Sequence, residues 1–133
     1  MSKQNIRWKQ RFQNFEKSLD YLQQAMQIEQ PDVFQKAGAI QFFEICFELS
    51  WNVIKDYLEE EGFTGLRSPR DTIKKAFETG LITGGHAWLQ TLENRNRTSH
   101  TYDEAAAERV IKEIVKIHYP LLRKLYHTLQ EKM

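Results

Sequence analysis

The sequence predicts an all-α protein, an up-and-down bundle of four or five helices with a short-helix insert. Three observations carry that prediction. Apolar residues recur at spacings of three and four along most of the 133 residues, the period of a helix with one buried face. Hydrophobic residues make up 41% and charged residues 28%, too apolar a balance for a disordered chain. Only 6 Gly and 3 Pro are present, too few turn formers for a many-stranded β fold. The length fits one domain, taken as residues 1–133, with one real core.

The first helix is expected from about Asn5 to Glu29. Trp8, Phe12, Phe15, Leu19, Leu22 and Met26 follow one another at spacings of 4, 3, 4, 3 and 4, which lines a single face. Pro31 and Asp32 end it and open the next helix. That second helix, about Asp32 to Glu61, is the most apolar segment. Ile40, Phe43, Phe47, Trp51, Ile54 and Leu58 share one side, while Phe42, Ile45, Leu49 and Val53 occupy another. A narrow polar arc holds Gln41, Glu44, Glu48, Asn52, Lys55 and Glu59. A helix apolar over most of its circumference is enclosed by others or by a subunit partner. Gly62 reads as its left-handed C-cap.

A short third helix starts at Ser68-Pro69-Arg70-Asp71, with a serine N-cap and proline in the first helical position, and runs to Gly80. Gly84-Gly85 opens a fourth, whose apolar face is Trp88, Leu89 and Leu92. The last helix begins near Thr101 to Asp103, where Thr101 and Glu104 have the spacing of a capping box. Val110, Ile111, Ile114, Ile117, Leu121, Leu122, Leu125 and Leu129 continue it. Pro120 should kink it by crowding the carbonyl of Lys116.

Net charge is +1, so the chain is no polycation that would coat nucleic acid indiscriminately. The charge is uneven, however. Residues 1–61 carry 7 Lys/Arg against 10 Asp/Glu, whereas residues 62–102 carry 6 against 3. The single cysteine, Cys46, rules out an internal disulfide framework and a cysteine-rich zinc site. It reads as a small core residue. No signal-peptide core follows Met1 and no apolar run is long enough to span a membrane, so a cytoplasmic location is expected. Metal and nucleotide motifs such as His-Glu-x-x-His, Cys-x-x-Cys and the Walker loop are missing, so neither a metal nor a cofactor is expected. His118 and His127, among leucines and lysines of the last helix, read as structural or surface groups.

One segment stands apart. Glu93-Asn94-Arg95-Asn96-Arg97-Thr98-Ser99-His100-Thr101-Tyr102-Asp103 is polar almost throughout and lies where two helices join. A polar connection containing histidine is common, yet this one has the parts for metal-free RNA cleavage. Histidine exchanges protons near neutrality, and arginine holds a phosphate through two parallel hydrogen bonds without losing its charge. On an unbroken helix Arg95 and His100 would lie about 140° apart and could not meet on one phosphate. Convergence therefore requires the helix to break after about Arg97, which Thr98 and Ser99 permit. One chain also supplies a single proton carrier where in-line cleavage prefers two. A symmetric dimer would supply the second.

The pattern Arg95-x4-His100-x-Tyr102, between Trp88-Leu89-x-x-Leu92-Glu93-x-Arg95-Asn96 and Tyr102-Asp103-Glu104, resembles the HEPN superfamily (higher eukaryotes and prokaryotes nucleotide-binding). More narrowly, the chain resembles the bacterial nucleotidyltransferase substrate-binding protein family. Phe47-Glu48-Leu49-Ser50-Trp51, Lys55-Asp56-Tyr57-Leu58-Glu59-Glu60-Glu61-Gly62 and Ser68-Pro69-Arg70 carry that likeness with the polar junction. The resemblance implies a dimerising bundle like the C-terminal domain of kanamycin nucleotidyltransferase and a separate small nucleotidyltransferase as partner. It carries two accounts of function. In one, the chain is the toxin of a toxin–antitoxin pair. Arg95 and His100 are then its metal-independent ribonuclease residues, and Tyr102 is the hydroxyl that the partner modifies with AMP. In the other, it is a non-catalytic subunit that binds substrate or nucleotide. Asn96, Arg97, Thr98 and Ser99 would line the RNA or nucleotide site in either.

Overall fold

Helix boundaries are set by local stereochemistry, and the caps show where each rod starts and stops. The computed structural model describes residues 3–98 and 103–133, with backbone only for residues 3–6. The elements are α1 (Lys3–Met26), α2 (Val33–Glu60), α3 (Pro69–Glu78), α4 (Gly85–Arg97), α5 (Glu104–Glu113), a π-helical turn (Ile114–His118) and α6 (Tyr119–Gln130). α5, the π-turn and α6 run on without interruption, so the bundle has five rods and, among the described residues, no strand.

Asp32 caps α2 through a complete capping box. Its side chain accepts from the Gln35 amide at 2.8 Å, and the Gln35 side chain accepts from the Asp32 amide at 2.9 Å. Two orphan amides of a helix start are thereby paired. At the far end Gly62 adopts a φ of 100°, a left-handed position that glycine enters without strain. It lets the Phe63 amide reach back to the Leu58 carbonyl at 3.0 Å and the Gly62 amide to that of Glu59 at 3.0 Å, the paired bonds of a Schellman ending. Ser68 caps α3 by accepting from the Asp71 amide at 3.1 Å, with Pro69 in the first turn.

One boundary differs from expectation, and the start of the last helix falls within the range expected for it. α1 ends at Met26 rather than Glu29, and Gln30, just ahead of Pro31, takes a left-handed φ of 52°. The N-cap of α5 is Asp103, whose carboxylate accepts from the Ala105 amide at 3.3 Å. Glu104 faces Lys36 of α2 at 3.7 Å; the capping box expected with Thr101 lies outside the described residues.

The core sits around α2. α1 packs along it with Trp8, Phe12, Phe15, Leu19 and Leu22 buried, and α6 closes the bundle with Leu122, Leu125, Tyr126 and Leu129. Phe12 and Tyr126 stack at 5.2 Å between these two helices. α2 itself buries Ile40, Phe43, Cys46, Phe47, Val53, Ile54 and Leu58. Its second apolar side is only partly covered. Phe42 and Leu49 are half-buried, and Ile45 is exposed. Arg11 pins α1 to α2 by placing Nε 3.1 Å from Oδ2 of the buried Asp56. Burial pushes the Asp56 carboxyl up, and Arg11 opposes that. Cys46 is buried and its thiol is pushed up to about 12 by burial, as a core residue would be. Among the described residues no helix is long and apolar enough to cross a membrane.

Candidate functional site

α4 leads into the polar junction, and its direction is fixed by packing on both flanks. Its first helical residue, Gly85, lies so close to Phe77 of α3 that a Cβ there would come within 2.9 Å of the ring. Trp88, Thr91 and Leu92 are buried against the bundle. The helix ends at Arg97, with Thr98 as its C-cap, the position at which the sequence expects α4 to stop. The Thr98 hydroxyl donates to the Arg95 carbonyl at 2.8 Å, using one of the carbonyls that a helix end leaves without an amide. Arg95 and Arg97 both occupy the last turn, where the helix dipole favours cations.

The predicted site residues on α4 point in different directions. Arg95 is half-buried, and its Nε is shielded from solvent with no hydrogen-bond partner among the described residues. Asn96 is exposed. Arg97 is exposed and lies 3.5 Å from Glu93 one turn earlier. Thr98 is buried. Ser99, His100 and Tyr102 lie outside the described residues, as does Thr101. Among the described residues no three His, Cys, Asp or Glu side chains stand together as a metal site.

Sequence reasoning missed the polar cluster beneath this turn. His118, at the end of the π-turn, has no solvent exposure. Its ring stacks on Phe43 at 5.1 Å. Nδ1 lies 2.8 Å from the Thr91 hydroxyl, and Nε2 lies 3.0 Å from Asn94 Nδ2. Asn94 also donates to Glu113 at 2.5 Å. Burial holds the imidazole at a pKa of about 4, so it is neutral near pH 7. Neither Thr91 nor Asn94 is near His118 in sequence, so no local spacing announces the contact. The one signal was Pro120. Just before it the helix widens into the π-turn, in which the Tyr119 amide bonds to the Ile114 carbonyl. His118 lies four residues after the buried Ile114, on the same inward face.

A shallow groove runs along the other flank of α4. Ile73, Lys74, Phe77, Gly85, His86 and Leu89 surround a hollow of about 240 Å³. Arg70, Gln90 and Glu93 extend it in a second hollow of about 520 Å³.

Residues 10–131 match the family described as nucleotidyltransferase substrate binding protein like. The chain belongs to that family. The chain is 36% identical over 92 residues to a Haemophilus influenzae protein named probable ribonuclease HepT, a match covering 64% of this chain. It spans 63% of the length of that relative. Among solved structures, a Thermus thermophilus protein superposes with a TM-score of 0.73 at 30% identity, covering 89% of this chain and 97% of that one. A second, from Haemophilus influenzae, is described as having the fold of a substrate binding domain of a nucleotidyltransferase. It superposes with a TM-score of 0.65 at 27% identity, covering 96% of this chain and 98% of that one.

Proposed function

We propose that the chain is the toxin of a two-component system, a metal-independent ribonuclease silenced by AMP transfer to Tyr102 from a small nucleotidyltransferase partner. The observation that carries this reading is the end of α4 at Arg97. Convergence of Arg95 and His100 on one phosphate requires a helix break at about this point, because on an unbroken helix the two would lie about 140° apart. In the same last turn stands a sheltered Arg95 Nε with no hydrogen-bond partner among the described residues. The relative named as a probable ribonuclease supports the same reading.

In the proposed reaction His100 accepts the proton of a ribose 2′-hydroxyl. The 2′-oxygen attacks phosphorus, and Arg95 stabilises charge growing on the non-bridging oxygens. The 5′-oxygen leaves with a proton from His100 of a second copy, giving a 2′,3′-cyclic phosphate and a 5′-hydroxyl. This pairing needs a homodimer with both junctions facing one groove. For silencing, the Tyr102 oxygen attacks the α-phosphate of ATP and pyrophosphate departs. The AMP then places negative charge and a base beside Arg95 and His100.

The alternative is a non-catalytic subunit that holds nucleotide for the nucleotidyltransferase. The groove beside α4, with Arg70, Lys74 and His86 on its walls, favours it as a place for phosphate and base. Expression in a bacterial host separates the two. Wild type alone should arrest growth, His100→Ala should not, and co-expression with the partner should restore growth. Equal growth of wild type and His100→Ala without the partner supports the binding subunit instead. Intact mass after co-expression should show adenylyl additions that vanish in Tyr102→Phe.

A further inference from the structure

The cluster around His118 is more specific than a filled core position, because its proton inventory closes in only one way. The Thr91 hydroxyl already donates to the Ala87 carbonyl at 3.0 Å. Toward His118 it can therefore only accept, so the proton of the imidazole is on Nδ1. Asn94 must present its amino group to the Glu113 carboxylate, an acceptor. The same amino group then directs its second hydrogen to Nε2, which is the bare nitrogen of that tautomer. Every donor meets an acceptor. A proton on Nε2 would instead face the Asn94 amino group, donor against donor.

These bonds tie two elements together at a defined place. Thr91 and Asn94 lie on α4, Glu113 ends α5, and His118 ends the π-turn. Arg95 follows Thr91 by four residues and so stands one turn above it on the same face. π-turns recur at functional sites. Here the turn ends on the side chain that grips α4. Glu113, 3.9 Å from Nε2, is the charged group that faces the ring among the described residues. Phe43 of α2 covers its face.

We propose that His118 is a positioning residue for the Arg95 site: as the neutral Nδ1–H tautomer it locks the last turns of α4 to the α5–α6 junction and fixes the direction in which Arg95 is presented. The assignment rests on the ribonuclease reading for its catalytic consequence, but the lock itself is independent of it. Glutamine offers one donor and one acceptor, whereas phenylalanine keeps the stack on Phe43 and offers neither. The two substitutions therefore separate hydrogen bonding from packing.

The experiment is ¹⁵N NMR on wild type, His118→Phe and His118→Gln, with RNA cleavage measured on the same samples. In wild type, long-range imidazole correlations should show a neutral ring protonated on Nδ1. The Arg95 Nε–H signal should move in His118→Phe and return toward the wild-type position in His118→Gln. Cleavage should fall about 100-fold in kcat for the phenylalanine variant, with KM little changed, and recover in the glutamine variant. Thr91→Val, which removes the acceptor on the other side of the ring, should move the same Arg95 signal if the phenylalanine variant does not fold. An Nε2–H ring, or an Arg95 signal unmoved in a folded His118→Phe or Thr91→Val protein, overturns the proposal. A wild type without cleavage but with the NMR pattern intact refutes the ribonuclease reading and leaves the lock standing.

Discussion

At the scale of single residues, His118 makes folding depend on pH in a direction that its surroundings dictate. Its pKa is about 4 in the folded bundle against an ordinary value near 6.5 in an unfolded chain. Above about pH 6.5 both states are neutral and the packed imidazole contributes fully. Between about 6.5 and 4 the unfolded chain takes up a proton that the folded one refuses, so stability falls as pH falls. Below about 4 both are protonated and this loss stops growing. Urea unfolding at pH 7.5 and 4.5 should show wild type losing about 2 kcal/mol more than His118→Gln. Equal losses would mean that His118 titrates normally in the folded state. Arg11 gives a second residue-scale test. Removing it strands the carboxylate of Asp56, which is 3% exposed. Arg11→Ala should cost about 2 kcal/mol in the same unfolding assay at pH 7.

At the scale of elements, starts and stops were legible wherever a single side chain or glycine decides them. Asp32, Ser68, Gly62 and the break after Arg97 all act within three or four residues of their own position, and sequence carries such signals. Asp32 holds both halves of its box, so Asp32→Ala should lower stability by about 1 kcal/mol, seen as an earlier urea midpoint with unchanged slope. The last helix was less legible. Its apolar spacing suggested that Ile117 and Leu121 face the core, yet they are half-buried, while His118 and Leu122 are fully enclosed. Ile114, His118, Leu122, Leu125 and Leu129 follow one another at spacings of 4, 4, 3 and 4, so the buried stripe passes through a histidine that an apolar count leaves out. His118 read as structural, and it is. What could not be read was its partners, since Thr91 and Asn94 come from a different helix.

At the scale of the whole molecule, the up-and-down bundle followed from hydrophobic spacing alone, and the solved relatives share that fold. Association is a separate matter. Val33 and Phe34 at the start of α2 are exposed, Phe34 to 82%, and Ile45 lies exposed further along the same helix. Apolar side chains left open on the central helix suit a second copy, as does the two-histidine reaction proposed above. Light scattering at micromolar concentration should give twice the mass of the 15.8 kDa chain; a monomer would remove the two-histidine mechanism.

Of the candidate site, sequence supplied the residue types and the required helix break. It could not supply the buried lock beneath Arg95, because that depends on how α4 meets the π-turn. Whether the junction is a catalytic centre is most directly tested by cleavage of a single-stranded RNA by the purified, unmodified protein in EDTA. Wild type should cut, leaving 2′,3′-cyclic phosphate ends, and Arg95→Ala and His100→Ala should each lose at least about 100-fold in rate while remaining folded. Cleavage abolished by EDTA, or undiminished in His100→Ala, would contradict the assignment.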